Sequence, residues 1–242
     1  FALALILIKT DNLRRYFGII GFAVMGLALI LTQSAGALFI GVPVGVITVI
    51  ILSLRKKAIL PIVGIIGLVV IGGIIASQSP RFDRLVDMTS GTNFYRLRAW
   101  QSAINIIRDY PITGIGLDQY LYFFRDNYML PDAWQEPNLS HPHNIIFDFW
   151  LRFGVFGVIW LVMLVWIWGK TAWRGYKTHW EQDKWLLALI IGAMGSMANL
   201  LSHGLVDNSL YVLDLAIVFA LLVGMASALP TQEASSLPTN TH

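Results

Sequence analysis

His141-Pro142-His143-Asn144-Ile145-Ile146-Phe147-Asp148-Phe149-Trp150-Leu151-Arg152-Phe153-Gly154-Val155-Phe156-Gly157 is the stretch on which the reading of this chain turns. It closes a long polar segment and enters an apolar helix that runs on to Trp168. Pro142 sets the helix entry and His143 or Asn144 lies at its cap, where free backbone N–H groups favour an anion. Titratable side chains at the mouth of an apolar helix make this a candidate site, and the surrounding sequence determines what kind.

The composition comes first. A chain of 242 residues that is 56% hydrophobic and only 13% charged cannot bury that much apolar surface in one soluble globule, so it is a membrane protein. Cysteine is absent, which removes disulfides, thiol nucleophiles and thiolate metal sites and leaves acid–base chemistry to His, Asp, Glu, Arg and Lys. A net charge of +3 gives no support to a nucleic-acid partner.

Working outward, Phe1 to Ile8 reads as the tail of a helix whose upstream part is missing, since eight residues reach only about 12 Å. Spans follow at Tyr16–Thr32, Ala35–Leu54 and Ala58–Ala76, then at Asn144–Trp168, Trp185–His203 and Ser209–Leu229. Residues 230–242 form a polar, proline-containing tail expected to be disordered. The whole reads as one polytopic domain, 1–242. Lys9, Arg14, Arg15, Arg55, Lys56, Lys57, Lys170, Arg174, Lys177 and Lys184 fall on one side, which the positive-inside rule assigns to the cytoplasm. Thr32–Gly36, the loop 77–142 and the turn His203–Asn208 then face outward. Within the spans, Gly18, Gly21, Gly41, Gly45, Gly64, Gly67, Gly72 and Gly73 suit close helix packing, and Pro43 kinks its helix.

The loop 77–142 contains six arginines, seven acids and no lysine. Leu97, Trp100, Ile104 and Ile107 recur at helical steps, which predicts an amphipathic helix over Asn93–Asp109 lying against the membrane or the bundle. Arg96 shares a face with Trp100, Ala103 and Ile107 and meets headgroups or a groove. Asp109-Tyr110-Pro111-Ile112-Thr113-Gly114-Ile115-Gly116 then ends the helix in a tight turn; Gln119 stands where a dinucleotide fingerprint needs its third glycine. Tyr120, Tyr122, Phe123, Phe124, Tyr128 and Trp134 suit sugar stacking or, more simply, an interfacial aromatic belt.

Asn144, Asp148 and Arg152 follow at four-residue intervals on one face. Asp148 and Arg152 either satisfy each other as an internal ion pair or meet a substrate. His143 faces the outer side with an imidazole suited to taking a proton from a hydroxyl. A metal reading of His141-x-His143 lacks the third and fourth ligands such a site needs.

These residues carry a resemblance. His143-Asn144, then Gly154-Val155-Phe156-Gly157, is similar to the external-loop signature of the O-antigen ligase and polymerase superfamily. Arg96-x-x-x-Trp100 with the run from Asp109 to Gly116 resembles a second motif of that family, Thr32-Gln33-Ser34-Ala35-Gly36-Ala37 resembles its Ser-Arg-Gly-Ala turn, and His203-Gly204-Leu205-Val206-Asp207-Asn208 resembles a late external turn carrying an Asp. The chain looks like the C-terminal portion of such a protein. The fold implied is an all-α polytopic membrane helix bundle with one large, partly helical external loop, like the C-type membrane glycosyltransferases.

The resemblance implies transfer of a glycan from a polyprenyl diphosphate carrier to an acceptor hydroxyl, a glycan or a lipid-linked glycan, at the outer face of the bacterial cytoplasmic membrane and without metal or cofactor. It implies His143 as general base, Arg96 as the cation on the diphosphate and Asp207 as the group that orients a partner. Asn144, Arg98, Arg81, Arg84, Asp148 and Arg152 are the remaining candidate substrate contacts. Two positions depart from the family pattern: Ala35 stands where many members have an Arg, and Arg152 where many have an acid. Arg81 and Arg84 would supply the missing charge if the loop folds back. A transporter of the same lipid-linked glycan is the rival reading and would show broken helices and paired half-repeats; a non-catalytic membrane protein is a third.

Overall fold

A computed structural model describes residues 1–8, 10–32, 34–78, 87, 89–207 and 210–227. The expected substrate contacts Arg81 and Arg84, and the expected disordered tail 230–242, lie outside the described residues. The chain is an all-α polytopic membrane bundle: α1 (Ala2–Leu7), α2 (Asn12–Thr32), α3 (Val42–Leu54), α4 (Ile59–Ala76), α5 (Gly91–Asp109), α6 (Tyr120–Phe123), α7 (Ile145–His179), α8 (Lys184–Gly204) and α9 (Leu213–Ser227). Among the described residues four helical runs are long and apolar enough to cross a membrane, Asn12–Thr32, Ala37–Ile75, Ile145–His179 and Lys184–Gly204, with Leu213–Met225 a shorter apolar helix. The 39-residue run divides at Arg55, whose φ of +50° turns α3 into α4 through a short 3-10 segment.

α8 is the centre of the bundle. Half of its apolar window is buried, against 6% for α2. Lipid removes most of the hydrophobic drive between helices, so small residues that let backbones approach decide the contacts. A Cβ on Gly45 would lie 2.9 Å from Gly195 O, and one on Gly195 would lie 2.4 Å from Val49 Cγ2. Gly41 is closed in the same way by Asn199, and Gly18 by α1. Gly64, Gly67, Gly72 and Gly73 differ from the expectation: nothing lies within 4 Å of a Cβ on any of them. They sit on α4, which exposes its large side chains, Leu60 at 81% and Leu68 at 70%.

At the basic end, aromatic rings carry the cations. Arg55 donates from Nε to Tyr176 Oη (3.1 Å) and stacks over Trp180 at 3.5 Å, while Arg14 lies over Trp185 at 4.3 Å.

At the opposite end the polar loop is built onto α7. The amphipathic helix forms as α5, but its buried stripe is Ala99, Ser102, Ala103 and Ile106, and Ile104 is exposed. Small side chains win that face because they allow close approach to Tyr120, Phe124 and Leu151, with Tyr120 Oη donating to Ala99 O (2.9 Å) and Ser102 Oγ to Tyr128 O (2.7 Å).

The expected uninterrupted span from Asn144 is broken. Gly154, at φ +65° and ψ −161°, divides α7 into a short segment, 145–153, and a long one, 155–179. A continuous helix would bond Val155 N–H to Leu151 O. Val155 N–H donates to Pro111 O instead (3.1 Å), and Leu151 O accepts from Ile115 N–H (2.6 Å). The turn after α5 thus supplies both groups that the break frees, as buried backbone requires. Trp150 Nε1 adds a bond to Pro111 O (2.8 Å). Asp148 and Arg152 consequently lie on the short capping segment above the long spanning one.

Glycine is obligatory at the junction, since a Cβ on Gly154 would lie 1.7 Å from Ile112 O. Gly154→Ala should lower the unfolding free energy by about 3 kcal/mol or more, through the positive φ and the clash with backbone. Gly67→Ala should be neutral or raise it by up to about 1 kcal/mol. Thermal unfolding of both variants in one detergent measures the contrast.

Candidate functional site

The site lies where four segments meet at the polar end of the bundle. Asn144 caps α7: its Oδ1 accepts from Ile146 N–H (2.9 Å) and Phe147 N–H (3.2 Å). Its Nδ2 donates to Leu205 O (2.8 Å), which ties the start of α7 to the turn after α8. That turn closes on itself through Val206 N–H and Asp207 N–H, both donating to His203 O (3.1 and 3.0 Å). Asp207 is therefore held back over the end of α8. His143, one residue before the cap, adopts φ +53°, a left-handed conformation rare outside glycine and found where the surroundings enforce it.

Asp207 is the hub. Its Oδ1 lies 3.3 Å from His143 Nδ1 and 3.3 Å from Arg96 Nη2, and its Oδ2 lies 3.4 Å from His203 Nε2. These partners come from the loop before α7, from α5 and from the last turn of α8. Hydrogen bonding from His143 first, then from His203, with the charge of Arg96 adding, holds the Asp207 carboxyl far below the usual carboxylate range against the opposing effect of burial. With its proton on the nitrogen that faces the carboxylate, a neutral His143 imidazole would present the Nε2 lone pair away from Asp207. The His141 ring sits 4.3 Å from that of His143, and burial, then the neighbouring His143, lowers its pKa.

Arg96, His143 and Asp207 are thus brought together. Trp100 helps to place Arg96, packing edge-on against Phe147 of α7 at 6.3 Å. The other predicted positions are engaged elsewhere. Arg98 points to Asp132 (2.5 Å) and Gln101 (2.7 Å) and lies over Phe94. Asn144 engages both ends of its amide within the protein, on the helix cap and on Leu205 O. Asp148 and Arg152 form the internal pair, Nε to Oδ1 at 2.9 Å, with Asp118 joining Arg152 at 2.6 Å and the Tyr211 ring 4.0 Å away. Of the two readings for that pair, the geometry favours the structural one. His203 was not singled out from sequence; the available signal was its four-residue spacing from Asp207. Gly36, in the turn with Ala35, packs directly on the His203 ring. Among the described residues no group of three or more His, Asp or Glu side chains is arranged to hold a metal ion.

The fold and this cluster define a class: a multi-pass α-helical membrane protein with an imidazole, a carboxylate and a guanidinium gathered at one end of its bundle. The family profile described as O-antigen ligase matches residues 20–162, more than half of the chain, and the chain belongs to that family. Arg96, His143 and the Gly154 junction fall inside the matched region; His203 and Asp207 lie beyond it. No curated protein matches the chain significantly. Membership makes it an O-antigen ligase- or polymerase-like membrane glycosyltransferase.

The depressed Asp207 pKa fixes a sign. Its ionised form stabilises the fold fully above the unfolded-state value near 3.9, and that contribution is lost progressively as pH falls below it. Asp207→Asn should melt at a lower temperature than the wild type at pH 6, with the gap narrowing from about pH 4 downward. Melting curves of both proteins across that range check it.

Proposed function

We propose that this protein transfers a glycan from a polyprenyl diphosphate carrier to an acceptor hydroxyl at the outer face of the bacterial cytoplasmic membrane. The observation that carries this reading is the shared Asp207 oxygen, which sets a histidine base and an arginine at the same 3.3 Å from one carboxylate. His143 Nε2 takes the proton of the acceptor hydroxyl. The acceptor oxygen forms a bond to the anomeric carbon as the bond from that carbon to the diphosphate oxygen breaks. The electron pair leaves on the diphosphate, and the Arg96 guanidinium stabilises that charge. Asp207 holds the His143 tautomer and stabilises the imidazolium that forms, the role of the carboxylate in serine-hydrolase triads. The scheme uses no metal or cofactor.

A carrier with a lipid tail accounts for a polar site perched on an apolar bundle: the tail stays in the bilayer while the headgroup meets α5 and the loop before α7. One observation favours the rival transporter reading, the broken helix at Gly154, because transporters bind substrate at such breaks. Here Val155 N–H and Leu151 O are taken by Pro111 and Ile115 of the same chain, so the break anchors a loop.

His143→Ala and Arg96→Ala should each reduce glycan transfer in cells by about a hundredfold or more with unchanged protein in the membrane. Arg98→Ala, removing a cation already held by Asp132, should stay near wild type. Surface glycan resolved on gels, alongside membrane immunoblots, is the measurement. Normal transfer by the first two variants would overturn the mechanism.

A further inference from the structure

We propose that His203 is a positioning residue for the reaction, gripping Asp207 from behind so that the opposite carboxylate oxygen stays aimed at His143 and Arg96. This inference rests on the glycan-transfer reading above. Three features carry it.

The first is the division of labour on one carboxylate. Oδ1 serves His143 and Arg96, and Oδ2 faces His203 Nε2 alone among the described residues. A carboxylate held only at Oδ1 can swing about its Cβ–Cγ bond, a broad torsion with weak intrinsic preference. His203 Nε2, 3.4 Å from Oδ2 and short of hydrogen-bond geometry, closes off the space such a swing would need. The second is local geometry: the turn that bonds Val206 and Asp207 back to His203 O places the side chains of 203 and 207 on the same side of the helix end. The third is the wall behind the imidazole. Gly36 is buried, and a Cβ there would lie 3.1 Å from His203 Nε2 and 3.2 Å from Cδ2; Gly41, one turn along, would bring a Cβ within 2.9 Å of His203 Cβ. The imidazole is thus sandwiched between the turn at 34–36 and Asp207, with little room to rotate away.

His203 Nε2 is itself buried and makes no hydrogen bond among the described residues, so it reaches the reaction through its 3.4 Å contact with Asp207 and not by touching substrate. The same contact gives the turn carrying Ala35 a way to act on His143, two contacts distant, through packing and not through a charge of its own. The Gly36 wall and the His203 imidazole should then behave as one unit.

The test compares His203→Ala, His203→Gln, Gly36→Val and the Gly36→Val/His203→Ala double variant in the cellular transfer assay, with His143→Ala as reference. His203→Ala should lower transfer roughly ten- to hundredfold, the scale of a misplaced catalytic group. His203→Gln, whose amide N–H reaches the same oxygen, should recover to within about threefold of wild type. Gly36→Val should lose as much as His203→Ala, and the double variant no more than either, because coupled residues are non-additive. If His143→Ala is inactive while His203→Ala transfers normally, the inference falls and the reaction reading stands. If His203→Gln is as defective as His203→Ala, or the double variant shows the product of the two losses, the inference also falls. Normal transfer by His143→Ala would remove the reaction reading itself.

Discussion

The backbone exchange at Gly154 is the constraint from which the working end of the molecule follows. A helix entering a membrane has no spare hydrogen-bond partners, and opening one turn of it strands a donor and an acceptor that hydrocarbon cannot satisfy. Here the stranded pair, Val155 N–H and Leu151 O, is taken up by Pro111 O and Ile115 N–H. Because both partners lie in the turn that ends α5, the break fixes where α5 lies. It also explains two glycines at once: Gly154 must turn where no side chain fits, and a Cβ on Gly114 would lie 2.4 Å from Leu151 O. The loop is thereby locked to the spanning helix through main chain, a contact largely independent of side-chain identity.

That anchoring carries Arg96 to Asp207. A guanidinium at the edge of an apolar bundle is stable only with a partner, and a carboxylate surrounded by one guanidinium and two imidazoles is strongly held in its ionised form. The cluster therefore stabilises the assembly of α5, the loop before α7 and the end of α8, and the same charges supply the base and the anion contact of the proposed reaction. A second ionic cluster, Asp118–Arg152–Asp148, sits on the short capping segment of α7 and stiffens the stretch that leads from His143 to the break. Arg152 there answers one departure from the family pattern: a cation replaces an acid where two aspartates are ready to hold it.

Much of the architecture was legible in the sequence because membrane spans advertise themselves by length and hydropathy, and because α5 carries its apolar residues at helical steps. The break in α7 was not. Phe153-Gly154-Val155 lies in a continuous apolar run, and nothing local reveals that the partners of the freed groups are about 40 residues upstream. The glycines of α4 depart from expectation for a related reason: spacing suggests packing, but only a neighbouring helix makes it so. For the site, the resemblance put Arg96, His143 and Asp207 in view together, and their convergence on one carboxylate oxygen is tertiary information. The internal bonds of Asn144 and the nearness of His203 to Asp207 are likewise tertiary: a histidine at a helix end looks incidental until the turn folds Asp207 over it.

The account stands on Asp207 and His143 acting as one unit. Transfer rates of Asp207→Asn, His143→Ala and their double variant, at matched membrane levels, test that directly. The account predicts that the double variant loses far less than the product of the two single losses, because most of what the carboxylate does passes through the imidazole and the remainder through Arg96. A double variant slowed by the product of the two single losses would contradict it.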